Sequence, residues 1–295
     1  MMNRKGIHMK KFALAKAVAA AALAGATLVA LTGCGGGSSE GLQIGVPSDP
    51  TNEARALLLL QDQGLITLEE DAGLQATKND IADNPNNIEI VEMEAASLPT
   101  SLPDLDMAVI NGNYAIGAGL DTASTLAVEA TDSEAADMYQ NVVACRAGEE
   151  NTPKIQALVA ALSTQTVKDY IDSTYNGSVV MVADVVDESA IPEATGDDTV
   201  ISVGASPAPH AEILAQISDL LAEKGWTLEV REFNDYIQPN VAVTDGELDA
   251  NYFQHVTYLN DYNEQNGTDL ANAGGIHFEP LGLYPGKTDS LDGLK

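Results

Sequence analysis

The sequence predicts an α/β fold of two lobes, and two observations support this prediction. Strand-like and helix-forming segments alternate along the chain, which is the pattern of an α/β protein. Two stretches also echo one another, "IGVPSDPTNEARALLLLQDQGL" at 44–65 and "ISVGASPAPHAEILAQISDLLAEKG" at 201–225. Each combines a strand, a loop with Ser and Pro, and a helix that ends near Gly. Either two lobes of similar build or chance similarity between α/β units would produce this echo.

Residues 1–33 have the composition of an export signal. Basic residues between Arg4 and Lys16 precede or enter an apolar run that is too short for an ordinary membrane span. The run ends in "LVALTGC" and is followed by "GGGSSE", which resembles a bacterial lipobox with a flexible tether over 34–40. In such signals Cys34 becomes the lipidated first residue, so we expect an exported chain that is lipid-anchored to the outer face of the cell membrane or to its periplasmic side. A plain secretory signal with an incidental cysteine is the alternative.

The acidic composition argues against one class of function. The chain carries 44 Asp and Glu against 14 Lys and Arg, and five of these basic residues precede Cys34. A nucleic-acid-binding protein needs a basic footprint, so no nucleic-acid partner is expected. The charge predicts a well-hydrated surface and does not by itself imply a cationic ligand. Cys145 lies in the apolar run "NVVACRAG" and is interpreted as a small buried hydrophobe, so no disulfide framework is expected.

The elements follow one another in a regular order. Asp49 can cap a helix and Pro50 fits its first turn, so a helix is predicted directly after the first strand. Residues 184–198, "DVVDESAIPEATGDD", have no sustained period and are interpreted as a linker. Strands are predicted at 42–46, 88–92, 106–110, 140–145, 178–182, 199–203, 227–231 and 276–283, and helices at 52–63, 95–101, 153–162, 164–174, 209–224, 235–243 and 252–263.

Signatures of catalysis are missing from this sequence. It contains no G-x-S-x-G, H-E-x-x-H, P-loop or EF-hand pattern. With 44 acidic residues some carboxylate pair will always be close, and nothing singles one out. We therefore expect a protein that is not an enzyme and that has neither a cofactor nor a metal site.

The most specific motifs lie near the C-terminus. "VGASPAPHAEIL" (203–214), "EFNDYIQPNVAVTDGELDANYFQHVTYLNDYNEQNG" (232–267) and "IHFEPLGLYPGKTDSLDGLK" (276–295) closely resemble the opening half of the NlpA/MetQ lipoproteins. Those are the methionine-binding proteins of bacterial ABC importers. The N-terminal block resembles the closing half of the same family, through "VPSDPTNEARALLLLQDQGLITL" (46–68), the segment 76–120, "YQNVVACRAG" (139–148) and "VKDYIDSTYNGSVV" (167–180).

The order of these blocks departs from the family. In the family "SLDGLK" runs directly into the "DPTN" segment, whereas here it ends the chain, which suggests a circular permutation. Residues 41–183 would be the family's C-terminal half, and 199–295 its N-terminal half. Within them, lobe B would comprise 41–113 and 284–295, and lobe A would comprise 114–183 and 199–283. A truncated tandem array, or halves completed by a second chain, are the alternatives. The permutation predicts that 41–46 and 285–295 share one lobe and that 184–198 is exposed.

The resemblance implies a type II periplasmic-binding-protein-like fold whose two lobes close about a hinge. It implies capture of L-methionine or a related amino acid and delivery to an ABC permease. Two kinds of alternative stay open. The ligand could be another amino acid or a methionine-containing dipeptide, or the protein could have a non-transport role as a surface lipoprotein or a defective remnant.

The resemblance also points to a set of ligand-binding residues. Arg55 and Asn52 share one face of the first helix, and an arginine fork suits a ligand carboxylate. Asn111 ends a strand, where α/β sheets present ligand contacts. The aromatic pocket would be formed by Tyr252, Phe253, His255 and Tyr284. His255 would donate a hydrogen bond, and His210 is a weaker candidate at the mouth of the cleft.

Overall fold

The computed structural model describes residues 41–131 and 137–294, and residues from Gly41 onward form one unit by their contacts. The strands are β1 (Gln43–Pro47), β2 (Thr67–Leu68), β3 (Ile81–Asp83), β4 (Glu89–Met93), β5 (Met107–Ile110), β6 (Ala127–Val128), β7 (Gln140–Cys145), β8 (Val180–Met181), β9 (Val200–Ala205), β10 (Thr227–Glu232), β11 (Ala250–His255), β12 (Ala271–Phe278) and β13 (Gly282–Pro285).

The helices in this part of the chain are α1 (Pro50–Asp62), α2 (Leu98–Ser101), α3 (Gly112–Gly117), α4 (Pro153–Leu162), α5 (Gln165–Tyr175), α6 (Glu212–Ala215), α7 (Ser218–Glu223), α8 (Gln238–Thr244) and α9 (Val256–Asn266). A π-helical turn at Pro207–Ala211 precedes α6, and the 3₁₀ turns are Gly73–Gln75, Lys78–Asp80, Ala95–Ser97, Leu102–Asp104, Thr122–Ser124 and Glu188–Ala190.

Two sheets form the cores of two lobes, as the sequence predicts. The sheet of lobe B has the order β4-β1-β5-β13-β6, and that of lobe A has the order β10-β9-β11-β7-β12-β8. Lobe B buries apolar side chains of α1 such as Leu57 and Leu60 against its sheet, and lobe A buries Leu158 and Leu214 in the same way. Cys145 lies in the core of lobe A, where burial raises the pKa of its thiol to about 12, so the expected buried hydrophobe is confirmed.

The first helix begins as its sequence predicts. The side chain of Asp49 accepts a hydrogen bond from the backbone N–H of Asn52 at 3.0 Å, and Pro50 occupies the first turn. The cap satisfies one of the free N–H groups at the helix start. The helix α1 follows the end of β1, and its first turn lies at the edge of lobe B that faces lobe A, since Asn52 contacts His255 there.

The chain crosses between the lobes twice. It leaves lobe B after β6 and returns between Phe278 and Gly282. The predicted change of lobe at 113/114 is therefore too early, because β6 pairs with β13 through Leu283 and Ala127 in the sheet of lobe B. The predicted strand 276–283 is likewise two strands, and Pro280 in the connecting segment could not donate to a strand ladder.

One predicted helix begins later than expected. Residues 250–255 form β11, which pairs with β9 and β7, and α9 starts only at Val256. The prediction of a helix from Tyr252 was wrong, because "ANYFQH" is a fully buried strand whose unbroken apolar run resembles a helical one. The predicted helix 209–224 is also divided, since the π-helical turn and the break after Ala215 interrupt it.

The two ends of the described unit lie in the same lobe. Leu42, Leu291 and Leu294 pack against the core of lobe B, and the side-chain amide of Asn86 donates to the carbonyl of Leu294 at 2.5 Å. The predicted proximity of the two ends is therefore present.

The predicted linker at 184–198 is not wholly exposed. Ile191 is buried in the core of lobe A, and the indole N–H of Trp226 donates to the carbonyl of Pro192 at 2.8 Å. The segment lies against lobe A rather than hanging free.

Among the described residues, none of the helices combines the length and the apolar character that a membrane crossing would require.

Candidate functional site

A narrow cavity of about 20 Å³, with room for about one water molecule, lies where the edges of the two lobes meet. Polar side chains form much of its wall, and the aromatic rings of Tyr236, Phe253 and Tyr258 form the rest. The lining residues are Asn52, Arg55, Asn111, Gly112, Asn113, Asn141, Tyr236, Phe253, Gln254, His255, Tyr258 and Glu279. This mixture of polar and aromatic side chains is typical of small-molecule sites.

Three of the predicted site residues meet in one hydrogen-bond network. Asn52 Oδ1 accepts from Asn111 Nδ2 at 2.8 Å and from His255 Nε2 at 3.2 Å. His255 Nδ1 in turn accepts from the backbone N–H of Tyr258 and caps α9, which places the imidazole proton on Nε2. Burial, followed by the charge of Arg55, lowers the pKa of His255 well below its usual range, so the ring is neutral. The network joins lobe B to lobe A.

Arg55 already has a carboxylate partner. Its guanidinium donates to Glu129 through Nε at 2.8 Å and through Nη2 at 2.5 Å, and Nη2 also reaches the carbonyl of Glu279 at 2.7 Å. Glu129 and Glu279 lie on the two different crossovers, and the ring of Tyr139 stacks 4.3 Å from the guanidinium carbon. Within the described residues, Nη1 takes part in no hydrogen bond. Arg55 therefore holds the crossovers together, and Nη1 is the part of it left for a ligand.

Two buried polar atoms in this cavity have no partner within the described residues. They are Asn111 Oδ1, an acceptor, and Asn113 Nδ2, a donor. The Oδ1 atom of Asn113 accepts from the hydroxyl of Tyr236 at 2.6 Å, which fixes the orientation of the amide. Unpaired buried polar groups are costly, and their presence commonly marks a place where a ligand or water binds.

The aromatic wall differs from the predicted one. Phe253 lines the cavity beside Tyr236, with ring centroids 5.9 Å apart, and Tyr258 completes the wall. Neither Tyr236 nor Tyr258 was among the predicted site residues. The signals that could have found them are the cap of α9, which places Tyr258 one turn into the helix, and the polar run "FNDY" before a buried helix.

Two predicted residues do not line the cavity. Tyr252 is next to Phe253 on β11, so its side chain points to the opposite face and packs into the core of lobe A. Tyr284 packs in lobe B near Ile110 and lines a separate cavity of about 190 Å³. The prediction that both form part of one pocket with Phe253 and His255 is therefore wrong in this structure, because Tyr252 packs in the core of lobe A and Tyr284 lies on β13 in lobe B.

A second polar cluster lies behind the cavity. His277 Nε2 is 2.7 Å and His210 Nε2 is 3.4 Å from Glu279 Oε1, while His277 Nδ1 is hydrogen-bonded to the hydroxyl of Tyr252. His210 also bonds to Asn141 Oδ1 at 2.9 Å. Burial lowers the pKa of His210 and of His277 to about 3 and raises that of Glu279.

The three side chains of this cluster are of the types that bind metal ions. The ligand atoms of His210, His277 and Glu279 lie within 4.8 Å of one another, which is close enough to hold a metal ion. The sequence signal that could have found the cluster is the two-residue spacing of His277 and Glu279, which places both on one side of an extended chain. The expectation that the protein has no metal site stays a prediction.

Two lobes that are joined by two crossovers and enclose a polar cavity define the periplasmic-binding-protein-like class. A model of the NlpA lipoprotein family matches residues 38–183 and 201–295, and the chain belongs to that family. The resemblance inferred from the motifs is thereby confirmed.

Individual relatives match over part of their length. The D-methionine-binding lipoprotein MetQ of Salmonella typhimurium is 40% identical over 144 residues, which cover 48% of this chain and 52% of the relative. The membrane lipoprotein TpN32 of Treponema pallidum is 41% identical over 144 residues, with the same coverage of 48% and 52%. The chain thus spans about half the length of the curated relatives it matches. Among solved structures, a nutrient binding protein from Burkholderia cenocepacia bound to methionine shares 36% identity with a TM-score of 0.40, over 46% of this chain and 57% of that one.

Proposed function

We propose that this chain is an extracytoplasmic substrate-binding lipoprotein that captures free methionine, or a related amino acid, and delivers it to an ABC permease. The observation that carries the proposal is the pair of unpartnered buried atoms, Asn111 Oδ1 and Asn113 Nδ2, in a cavity with an aromatic wall. An amino acid brings a donor and an acceptor on one carbon, which is the complement of that pair. The Salmonella relative is named for binding D-methionine, which supports methionine as the first ligand to test.

The contacts can be assigned from chemistry. The ligand carboxylate would take donors from Asn113 Nδ2 and from Nη1 of Arg55. The ammonium would find an acceptor in Asn111 Oδ1. The side chain would lie against Tyr236, Phe253 and Tyr258, since a thioether packs well against aromatic rings. This is capture and release by closure of the lobes, without a covalent step.

A longer ligand is the second candidate. Gly112 lines both the central cavity and the neighbouring cavity that contains Tyr284. A dipeptide with a methionine residue would extend from the first into the second, and Tyr284 would then contact the ligand as the sequence predicts.

Two further proposals concern how the chain is built and placed. Lipidation of Cys34, which lies outside the described residues, would anchor the protein to the membrane next to its permease. The permuted order is supported by the order of the motifs along the chain. It is also supported by the packing of Leu42 and Leu294 in one lobe.

Calorimetry on the chain from residue 35 onward tests the function. The panel comprises both enantiomers of methionine, other amino acids and methionine-containing dipeptides. We expect saturable binding of methionine with one ligand per chain. Asn111→Ala should weaken this binding about tenfold or more, because the paired acceptor is lost. Asn79→Ala, at an exposed position of the same lobe, is the matched control and should leave it unchanged. Absence of heat and of any thermal shift across the whole panel would refute the receptor function.

A further inference from the structure

Glu279 is the acidic side chain that lines the central cavity within 41–131 and 137–294. Its residue is only 5% exposed. In that part of the chain no lysine or arginine forms an ion pair with its carboxylate, since Arg55 reaches only its backbone carbonyl. A buried carboxylate without a cation is costly, and proteins normally compensate it.

No lysine or arginine of the described residues is dedicated to this carboxylate, although the guanidinium of Arg55 and the backbone N–H of Asn113 lie near enough to favour its charged form. The guanidinium of Arg55 is matched by the carboxylate of Glu129. His210 and His277 are both buried, and a neutral imidazole contributes one donor and no charge. With the hydroxyl of Tyr252 donating to Nδ1 of His277, Nε2 of that ring donates to Glu279 Oε1. The cavity therefore combines one matched ion pair with one unmatched carboxylate.

The two oxygens of Glu279 have different surroundings. Oε1 is held by His277, with His210 at 3.4 Å. Oε2 lies over the start of α3, where a Cβ atom placed on Gly112 would come within 2.7 Å of it. A glycine at this position is what allows the carboxylate to lie against the helix start. Asn111 Oδ1, the unpartnered acceptor, belongs to the preceding residue and the same cavity.

We propose that Glu279 Oε2 and Asn111 Oδ1 together bind the ammonium group of the ligand, and that His277 and His210 position the carboxylate for it. The inference rests on the proposed function and sharpens it. Ligands would need a free, protonated amine, so acids without an amino group would be rejected even when their side chain is identical. Rejection follows because such an acid would leave the buried carboxylate of Glu279 unpaired and add a second negative charge beside it.

Calorimetry on the unaltered sequence from residue 35 tests this first, without any substitution. The probes are methionine and 4-(methylthio)butanoate, which is methionine without its amino group. We expect methionine to bind about 100-fold more tightly or better, since an unpaired buried charge costs binding on this scale. Equal affinity for the two probes would overturn the inference while leaving a binding function in place. Binding of neither probe, nor of any other amine in the panel, would overturn both.

Glu279→Gln separates ligand binding from positioning. Methionine should bind about 30-fold more weakly to it, whereas 4-(methylthio)butanoate should bind as before or more tightly. A residue with a merely structural role would weaken both probes alike, and that outcome would overturn the inference. Glu247→Gln, which removes one acidic charge at an exposed pair with Arg231, is the matched control and should change neither affinity.

The metal content of the protein provides a third test, because a divalent cation would also satisfy Glu279. Elemental analysis of the purified chain should find less than about a tenth of an equivalent of any transition metal after gel filtration. One equivalent of zinc that is lost in Glu279→Gln would overturn the inference, since the cation would then be a metal held with His210 and His277.

Discussion

Asn52 receives a hydrogen bond from each lobe on a single oxygen atom. Asn111 donates from lobe B and His255 donates from lobe A. The side-chain amide of Asn52 is itself fixed, because its Nδ2 donates to the helix-capping Asp49 at 2.9 Å. One residue therefore combines the start of α1 with the contact between the lobes, and a change of ligand or of lobe orientation must be accommodated there.

Gly112 provides the sharpest prediction at the scale of one residue. In Gly112→Ala the new methyl group would lie 2.7 Å from Glu279 Oε2 and 2.8 Å from its Cβ atom, so Glu279 must shift. We expect methionine binding to weaken about tenfold or more, while the fold persists because alanine favours a helix. The control is Gly117→Ala in the same helix, where an added Cβ meets no atom within 4 Å. Calorimetry that finds equal affinities for the two variants would contradict the placement of Glu279.

At the scale of the element, β11 decides which aromatic residues line the cavity. Tyr252 points to the core of lobe A, whereas Phe253, Gln254 and His255 line the cavity, and a register shift against β7 between Tyr252 and Gln254 interrupts the regular alternation. The next element, α9, is capped by the last residue of that strand, His255. A strand that leads directly into a capped helix therefore places three kinds of contact, an aromatic wall, a core anchor and a hydrogen-bond donor, within four residues.

The crossovers depend on one buried ion pair. In Arg55→Met the carboxylate of Glu129, 13% exposed, would lose its partner, and we expect the free energy of unfolding to fall by about 3–5 kcal/mol. Urea unfolding measures this loss. Lys78→Met is the control, because the Lys78–Glu92 pair is far more exposed, at 42% and 31%, and its removal should change stability little. Equal effects of the two substitutions would show that the Arg55 pair does not stabilise the crossovers.

Local signals in the sequence predicted the elements that depend on local chemistry. Asp49 and Pro50 place the start of α1, and Thr152 with Pro153 predicts α4 at its observed bounds. Contacts between distant residues escaped prediction. The partner of Arg55 is Glu129, which lies 74 residues away. Nothing in the pattern of a helix indicates that the carboxylate bound by Arg55 belongs to the protein and not to the ligand.

The candidate site was predicted in part for the same reason. Asn52, Arg55, Asn111, Phe253 and His255 do line one cavity, whereas Tyr252 and Tyr284 do not. The error for Tyr252 came from the secondary structure of residues 250–255, since neighbouring side chains of a strand point to opposite faces. The error for Tyr284 came from a distant contact, because β13 holds that residue in the core of lobe B.

At the scale of the whole molecule, three buried neutral histidines link stability to pH. His210 faces Glu279, His277 and Asn141; His277 faces Tyr252 and Glu279; His255 faces Arg55, Asn52 and the N–H of Tyr258. Burial holds the pKa of His210 and His277 at about 3, against an ordinary value of 6.5. Below pH 6.5 the unfolded chain takes up protons that the folded chain cannot, so stability should fall as the pH drops from 6.5 toward 3.

Urea unfolding at pH 7, 6, 5 and 4 tests this dependence. Each histidine contributes at most about 1.4 kcal/mol per pH unit to the fall. Burial also raises the pKa of Glu279, Glu53 and Asp49 above their ordinary values of 4.5, 4.5 and 3.8, and these carboxyl groups act in the opposite direction. The histidine contribution is therefore isolated by comparison with a variant that lacks one ring. In His277→Gln, which removes one titrating ring, the fall should be shallower. Stability that stays level or rises from pH 6.5 to pH 4 would contradict the buried, neutral histidines.

The proposed permutation predicts that the chain tolerates restoration of the family order. A gene that joins Lys295 to Gly41 and opens the chain between 183 and 199 should yield a folded protein with similar methionine affinity. The reason is that Leu294 and Leu42 already pack in one lobe, so the new connection closes a short gap. A control permutant opened inside β11 should fail to fold. Failure of the restored order itself, measured by thermal unfolding, would contradict the permutation.

The clamp made by Arg55 also limits how the molecule can move. The guanidinium joins Glu129 on one crossover to the Glu279 carbonyl on the other, and the backbone N–H of Glu129 donates to the carbonyl of Leu281 at 2.9 Å. The two crossovers are thereby held side by side and act as a single hinge. The lobes can then rotate about this hinge, but they cannot slide apart or twist independently. Opening and closing of the cleft would therefore be a single hinge motion. A ligand that contacts Nη1 of Arg55 would bind at the hinge itself, so its binding would affect both lobes at once.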